Sequence, residues 1–133
     1  MKPIYLEMNY FGPHENSVVD FRLLDESPIF LISGDTGAGK STIFDAMTYA
    51  LFGTTTGDRD AKEMRSQFAT ADDRTSVTFY FEQGNLLYRI ERSPEQKLSK
   101  KRGSGSTLQK STAKLAIVDR VKGIEKNNIA INP

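Results

Sequence analysis

A glycine-rich run that ends in lysine and serine is the part of this sequence best suited to chemistry. Residues 34–41 are Gly-Asp-Thr-Gly-Ala-Gly-Lys-Ser, which matches the pattern G-x-x-x-x-G-K-[ST]. Glycines let the backbone adopt positive φ, so that successive N–H groups turn toward the oxygens of a phosphate chain. The run therefore predicts a Walker A loop, which binds the phosphates of ATP.

The residues at the end of this loop have separate expected roles. The Lys40 ammonium is expected to reach the β- and γ-phosphates and to act in catalysis, while the Ser41 hydroxyl is expected to coordinate Mg²⁺. The Thr42 hydroxyl is expected to bond the α-phosphate. The predicted nucleotide-binding residues are Gly34, Asp35, Thr36, Gly37, Ala38, Gly39, Lys40, Ser41 and Thr42. Asp35 should point away from the phosphates, because like charges repel.

A Walker A loop has to lie between a buried strand and a helix. Ile29–Ile32 is a continuous apolar run and predicts a buried central strand. Lys40–Phe52 has helical periodicity, and Gly53 stands where a C-terminal capping glycine belongs. The helix face predicted to be buried carries Ile43, Met47, Ala50 and Leu51. The positive N-terminal end of this helix would add to phosphate binding.

The remaining elements are predicted to be mostly strands. Ile4–Phe11 and Ser17–Phe21 are expected to pair across Gly12-Pro13, and Val77–Phe81 is expected to pair with Leu86–Ile90. Ala61–Phe68 predicts a short helix, and Leu115–Val118 is another apolar run. The aromatic residues predicted to lie in the core are Phe11, Phe21, Phe30, Tyr49 and Phe52. The fold class is thus mixed α/β, with a strand–loop–helix unit and an antiparallel part.

The composition is that of an ordinary globular domain. The chain has 133 residues, of which 38% are hydrophobic and 26% charged, and its net charge is +1. It has no cysteine, which excludes disulfides, thiolate metal sites and a cysteine nucleophile. Its apolar runs are too short to span a bilayer, and Glu7 and Asn9 interrupt any secretory signal. A soluble, cytoplasmic protein is expected.

Several motifs, in the same order, closely resemble the N-terminal part of proteins of the SbcC family. These proteins are SMC-like ATPases of the ABC type. The matching segments are 9–14 (Asn-Tyr-Phe-Gly-Pro-His), 19–21, 29–46, 49–53, 64–69, 88–94 and 100–103. Together they extend over most of residues 1–115, so the resemblance does not depend on the Walker A loop alone.

The resemblance implies the N-terminal lobe of an ABC-type ATPase head with a P-loop NTPase fold. In that family a long coiled coil separates this lobe from a C-terminal lobe, which carries Walker B, the signature loop and the catalytic glutamate. Two heads enclose two ATP molecules, and a nuclease subunit, SbcD, assists in processing double-stranded DNA ends and hairpins. We expect one lobe over residues 1–133, ending before the coiled coil, with parts at 1–53, 54–75 and 76–133. Such a lobe alone should bind ATP without significant hydrolysis, and its location should be cytoplasmic and nucleoid-associated.

Charge is unevenly distributed along the chain. Residues 1–75 carry seven Lys and Arg against twelve Asp and Glu, whereas residues 76–133 carry eleven against five. The acid-free stretch 96–118 contains Lys97, Lys100, Lys101, Arg102, Lys110 and Lys114. For a family that acts on DNA, these six are candidate phosphate contacts. The alternative is a solvated loop.

Other assignments stay open at this stage. His14, Arg59, Lys62 and Arg65 are candidate nucleotide contacts by resemblance, although His14 in a solvated loop and surface ion pairs for the other three are the alternatives. Leu115–Asp119 has the four-apolar-then-acid form of a Walker B strand, but Arg120 follows where ABC-type proteins have glutamate. A different P-loop ATPase, of transport or RecF-like type, and a nucleotide-gated interaction module without hydrolysis are the competing functions.

Overall fold

The main sheet is antiparallel throughout. In the computed structural model, which describes residues 1–24, 40–55, 61–119 and 125–129, six strands form it in the order β2-β1-β3-β4-β7-β8. The strands of the chain are β1 (Lys2–Phe11), β2 (His14–Asp20), β3 (Ser76–Gln83), β4 (Leu86–Ser93), β5 (Gln96–Ser99), β6 (Ser106–Gln109), β7 (Thr112–Val118) and β8 (Glu125–Ile129). Strands β5 and β6 pair only with each other and form a separate hairpin between β4 and β7.

One helix, α1 (Lys40–Phe52), packs on one face of this sheet. The strand residues that face it alternate along β1 and β3, as the two-residue period of a strand requires. The buried core that results contains Leu6, Met8, Phe11, Phe21, Ala46, Tyr49, Ala50, Met64, Val77, Phe79 and Ile90. The Phe11 and Tyr49 rings stack within it, with centroids 5.9 Å apart. The core therefore joins the end of β1 to the middle of the helix.

The helix has the bounds that the sequence predicts, from Lys40 to Phe52. Gly53 follows with φ +80°, and its N–H donates to the Tyr49 carbonyl at 2.7 Å, so the predicted C-terminal cap is confirmed. The most buried residues of the helical face are Ala46, Tyr49 and Ala50. The predicted positions Ile43, Met47 and Leu51 are only half-buried beside them.

Among the aromatic residues, one core prediction is wrong. Phe11, Phe21 and Tyr49 are buried as expected, but Phe52 is 73% exposed. It stands at the last position of α1, and Phe44 on the same helix is 51% exposed. Phe30 and the predicted strand Ile29–Ile32 lie outside the described residues.

The predicted strand pairs are confirmed. β1 pairs with β2, and β3 pairs with β4 across Gly84-Asn85, where Gly84 has φ +62°. The predicted helix Ala61–Phe68 is wrong beyond its first turn, because only Ala61–Met64 is helical, in the 3-10 form. Arg65 then bridges to Phe11 of β1, and this tertiary pairing replaces the helical hydrogen bonds. No sequence pattern predicted strand β8.

No helix within the described parts of the chain has the length and apolar character needed to cross a membrane.

Candidate functional site

The first turn of α1 is the described part of the predicted Walker A loop. Helical backbone begins at Lys40, where the motif places the start of the helix, and Thr42 is 6% exposed. Positions 34–39 of the motif lie outside the described residues, as do the side chains of Lys40 and Ser41. The leading N–H groups of a helix have no intrahelical acceptor and attract anions. This helix start therefore fits a nucleotide phosphate chain.

The turn between β1 and β2 packs directly on this helix start. Gly12 lies in the turn with φ +57°, and a Cβ added there would be 2.7 Å from Cγ2 of Thr42. A contact that short has no room for a side chain, and the left-handed backbone also favours glycine. Gly12 therefore allows the β1–β2 turn to touch the second residue after the motif lysine. The sequence pattern carries no direct signal for this contact, although Gly12-Pro13 does mark the turn.

His14 begins β2 on the same turn. Its Nδ1 lies 2.8 Å from the Ser17 hydroxyl, and it is paired across the hairpin with Phe11. The side chain is half-buried rather than fully solvated. The structure thus brings His14 to the turn that contacts the first turn of α1.

Arg65 has a different environment from the one expected. Its Nη1 donates to the Asp73 carbonyl at 2.6 Å, to Thr75 Oγ1 at 3.0 Å and to Gln96 Oε1 at 2.8 Å. Its Nη2 donates to the Thr70 carbonyl at 2.7 Å. The guanidinium is therefore engaged by the protein's own acceptors, and a nucleotide contact for Arg65 stays a prediction.

Lys62 lies beside the last turn of α1 rather than the first. Its Nζ is 3.7 Å from Glu95 Oε1, and both side chains are largely exposed, so this ion pair contributes little to stability. Lys62 also lines a cavity of about 220 Å³ with Tyr49, Gly53 and Arg92. The structure does not bring Lys62 to the Walker A end of the helix. Arg59 lies outside the described residues.

Arg92 caps the other end of α1, a role that no sequence pattern indicates. The side chain is 8% exposed, and its Nε donates to the Ala50 carbonyl at 2.8 Å. A cation that satisfies a carbonyl of the last turn stabilises the negative end of the helix. Tyr49 lines the same cavity as Arg92, and burial raises the pKa of the Tyr49 hydroxyl to about 12. The helix that carries Lys40 is thereby fixed to β4 at its C-terminal end.

The Walker B interpretation of Leu115–Asp119 is wrong. This run belongs to β7, which lies between β4 and β8 and is antiparallel to both. Asp119 lines a groove with Tyr5, Arg22 and Tyr80. Tyr5 alternates with the core residue Leu6 along β1, so this groove is on the sheet face opposite α1. A carboxylate there is separated by the sheet from α1.

Much of the basic segment forms a hairpin, and the Ser99 N–H at the end of β5 donates to the Ala71 carbonyl at 2.7 Å. Strands β5 and β6 pair from Gln96–Gln109 to Ser99–Ser106, and Lys100, Lys101 and Arg102 lie in the connecting turn. All six cations predicted to contact phosphates are exposed, namely Lys97, Lys100, Lys101, Arg102, Lys110 and Lys114. This arrangement leaves the cations accessible to an anionic partner.

Comparison with known sequences identifies the family. A sequence profile of the family described as "AAA domain" matches residues 5–132. The chain belongs to this AAA domain family. The family assignment agrees with the Walker A motif and with the mixed α/β architecture in which the helix starts at Lys40.

Individual proteins also resemble this AAA domain closely. It is 99% identical over 133 residues to the C subunit of the nuclease SbcCD from Lactococcus lactis subsp. lactis (strain IL1403), a match of the whole chain to 13% of that protein. It is 44% identical over 117 residues, 86% of the chain, to 12% of the protein of the same name from Vibrio cholerae serotype O1. In Staphylococcus aureus (strain MRSA252) a protein of this name is 48% identical over 93 residues, 69% of the chain and 9% of that protein. The resemblance to SbcC is confirmed, and the chain spans about one eighth of the length of these relatives.

Proposed function

We propose that this chain is the ATP-binding N-terminal lobe of an SbcC-like, ABC-type ATPase. The observation that carries the proposal is the placement of Lys40, because the helix begins at the lysine of a complete Walker A motif. The close match to proteins named as the C subunit of the nuclease SbcCD supports the same assignment. The fold over residues 1–133 would then be one P-loop lobe, and its three parts would be residues 1–53, 54–75 and 76–133.

The proposed site has the loop residues Gly34–Gly39 around the phosphates, with Lys40, Ser41 and Thr42 at the start of the helix. Lys40 would neutralise charge on the β- and γ-phosphates, and Ser41 would hold Mg²⁺. His14 is a further candidate, because its turn contacts Thr42 through Gly12. Bound Mg²⁺ would supply charge neutralisation across the phosphates. The role of this lobe is to bind and orient them.

Hydrolysis is proposed to require parts of the protein outside this chain. Asp119 lies on the sheet face away from the helix, so the chain's candidate Walker B acid cannot reach the proposed site. Phosphoryl transfer depends almost entirely on positioning and charge stabilisation, and a lobe without those groups should bind ATP but turn it over slowly. A C-terminal lobe of the same protein and a second head would complete the site.

The exposed face of α1 is the proposed contact for the C-terminal lobe. Phe44 is 51% exposed, and Phe52, at the last position of α1, is 73% exposed. Two exposed phenylalanines on one helix favour a buried interface in the assembled protein. Since the relatives are about eight times longer than this chain, enough additional protein exists in them to cover this face.

The β5–β6 hairpin and the adjoining start of β7 are the proposed contact for double-stranded DNA, with Lys97, Lys100, Lys101, Arg102, Lys110 and Lys114 facing phosphates. The exposure of these cations on and beside the hairpin supports this use. A nuclease subunit of the SbcD type would then act on the DNA, and such a complex would be cytoplasmic and nucleoid-associated.

Equilibrium binding of ATP with and without Mg²⁺ tests the proposal. The complete protein should bind ATP more tightly with Mg²⁺, and Ser41→Ala should remove that difference. A steady-state ATPase assay on the complete protein distinguishes the alternative of a nucleotide-gated module, which would bind ATP but show no turnover with or without DNA. Failure of ATP to bind in either condition would overturn the proposal.

A further inference from the structure

A short backbone pairing fixes the end of β1 to residues 64–66. The Gly12 N–H donates to the Met64 carbonyl, and the Ser66 N–H donates to the Tyr10 carbonyl at 2.8 Å. Phe11 and Arg65 face each other in an antiparallel bridge between these two bonds. The β1–β2 turn that carries Gly12 is therefore held by the segment that carries Arg65.

Tyr10 needs this support because its backbone is strained. It has φ +50°, a left-handed conformation that costs a residue with a Cβ about 1–2 kcal/mol. Such a conformation persists only when the surrounding structure imposes it. The Tyr10 carbonyl accepts from the Ser66 N–H and also from the Thr75 hydroxyl, at 3.0 Å. Two donors from different segments thus hold one strained peptide.

Buried polar side chains connect these donors to Arg65. Thr75 is fully buried and Gln96 is 5% exposed. Gln96 Oε1 accepts from the Thr75 N–H at 2.7 Å and from Arg65 Nη1 at 2.8 Å. Arg65 Nη1 also donates to the Thr75 hydroxyl, which leaves that hydroxyl's own proton for the Tyr10 carbonyl. Arg65 therefore orients the Thr75 hydroxyl, and its guanidinium anchors the residue whose backbone bridges to Phe11.

We propose that Arg65 is a positioning residue for the nucleotide site, because it holds the β1–β2 turn in place against Thr42. The chain of contacts runs from the Arg65 guanidinium through Thr75 and the 64–66 pairing to Gly12, whose Cα lies against the Thr42 side chain. The role proposed for Arg65 is therefore exerted through this turn. The inference rests on the proposed function, since it assigns a role toward the same site.

The test compares Arg65→Gln with a matched control, Arg74→Gln, in the complete protein. Arg74 donates to the hydroxyls of Ser93 and Thr112 at 3.1 and 3.2 Å. It adjoins the same polar region, but its bonds do not involve the turn. The two measurements are hydrogen exchange at the Gly12 and Ser66 amides and the calorimetric affinity for ATP–Mg²⁺.

Arg65→Gln should expose both amides to exchange at least about tenfold faster than in the wild type. It should weaken ATP–Mg²⁺ binding about tenfold, which corresponds to about 1.4 kcal/mol. Arg74→Gln should leave both unchanged even where it lowers the unfolding temperature. Thr75→Val, which keeps the shape but removes the donor to Tyr10, should shift both measurements in the same direction as Arg65→Gln by a smaller factor.

Three outcomes overturn the inference or separate it from the proposed function. If Arg65→Gln lowers stability but keeps wild-type Gly12 exchange and affinity, Arg65 only stabilises the fold and the inference fails. If Arg65→Gln does not fold, the amide exchange rates and the ATP–Mg²⁺ affinity of Thr75→Val decide instead, and wild-type values for both overturn the inference. If the wild type does not bind ATP, the proposed function fails, and the exchange rates alone decide whether Arg65 holds the turn.

Discussion

Gly12 and Thr42 are in direct contact although they lie 30 positions apart in the chain. A methyl group on Gly12 would lie 2.7 Å from Cγ2 of Thr42 and 3.4 Å from its hydroxyl oxygen. Thr42 is 6% exposed, so its side chain has little space to move aside. The β1–β2 turn and the first turn of α1 are consequently packed against each other. A substitution in one turn should therefore displace residues of the other.

Gly12→Ala should destabilise the protein through both strain and overpacking. The left-handed φ of +57° costs about 1–2 kcal/mol for a residue with a Cβ, and overpacking a tight contact adds about 1–3 kcal/mol. The free energy of unfolding from urea denaturation measures the sum. We expect ATP affinity to fall as well, because Thr42 has to move.

Gly84→Ala is the matched control for this variant. Gly84 has φ +62°, but a Cβ there would meet nothing within 4 Å. It should lose only the backbone contribution and leave ATP affinity unchanged. Equal losses of stability in the two variants would contradict a tight Gly12–Thr42 contact.

Local patterns predicted the helix and the strand pairs well. Lys40 follows the Walker A glycines and Gly53 supplies a left-handed cap, so both ends of α1 are encoded within a few residues of the ends themselves. Alternation along β1 and β3, and the Gly84 turn, similarly depend on neighbours in sequence. These features needed no knowledge of distant contacts.

The features that the sequence could not predict depend on distant partners. The acceptors of the Arg65 guanidinium include Thr75 and Gln96, which lie 10 and 31 positions away. Phe52 stands at the last position of α1, so its exposure depends on where the sheet ends. Strand β8 is polar and pairs at the edge of the sheet with β7, so its pattern carries no strand signal.

Arg92→Met should lower stability because it removes the donor to the Ala50 carbonyl at the end of α1. Arg92 is 8% exposed, and loss of a buried hydrogen bond to a charged group costs about 1.5–3 kcal/mol. The free energy of unfolding in urea provides the measurement. Arg102→Met, on the exposed hairpin turn, should change it by less than about 0.5 kcal/mol, and a similar loss in both would contradict the cap.

Stability should fall at alkaline pH through Tyr49. Burial raises its pKa from 10.0 to about 12, so between these values the unfolded chain loses the proton while the folded chain keeps it. The free energy of unfolding should then decrease as pH rises from 10 to 12, with the full contribution of Tyr49 present below pH 10. Tyr49→Phe should show a weaker alkaline decrease than the wild type. Identical pH profiles for the two proteins would show that Tyr49 is not responsible.

Replacing Lys100, Lys101 and Arg102 by Gln should weaken binding to duplex DNA regardless of its sequence, because phosphate contacts carry no sequence information. The slope of log affinity against log salt should become shallower by about 0.9 for each phosphate that the variant no longer neutralises. A charge-conserving triple variant, with Arg at 100 and 101 and Lys at 102, should retain both affinity and slope. Unaltered binding by the Gln variant would indicate a solvated hairpin.

Calorimetric titration of ATP–Mg²⁺ into the wild type and into Lys40→Ala tests whether Lys40 and the loop before it bind ATP. We predict saturable binding by the wild type and loss of measurable binding in the variant. The unfolding temperature without nucleotide should stay the same, because Lys40 stands at the first position of α1 and the buried core is made of other residues. Equal affinity for ATP–Mg²⁺ in the two proteins would contradict the assignment of this loop as the nucleotide site.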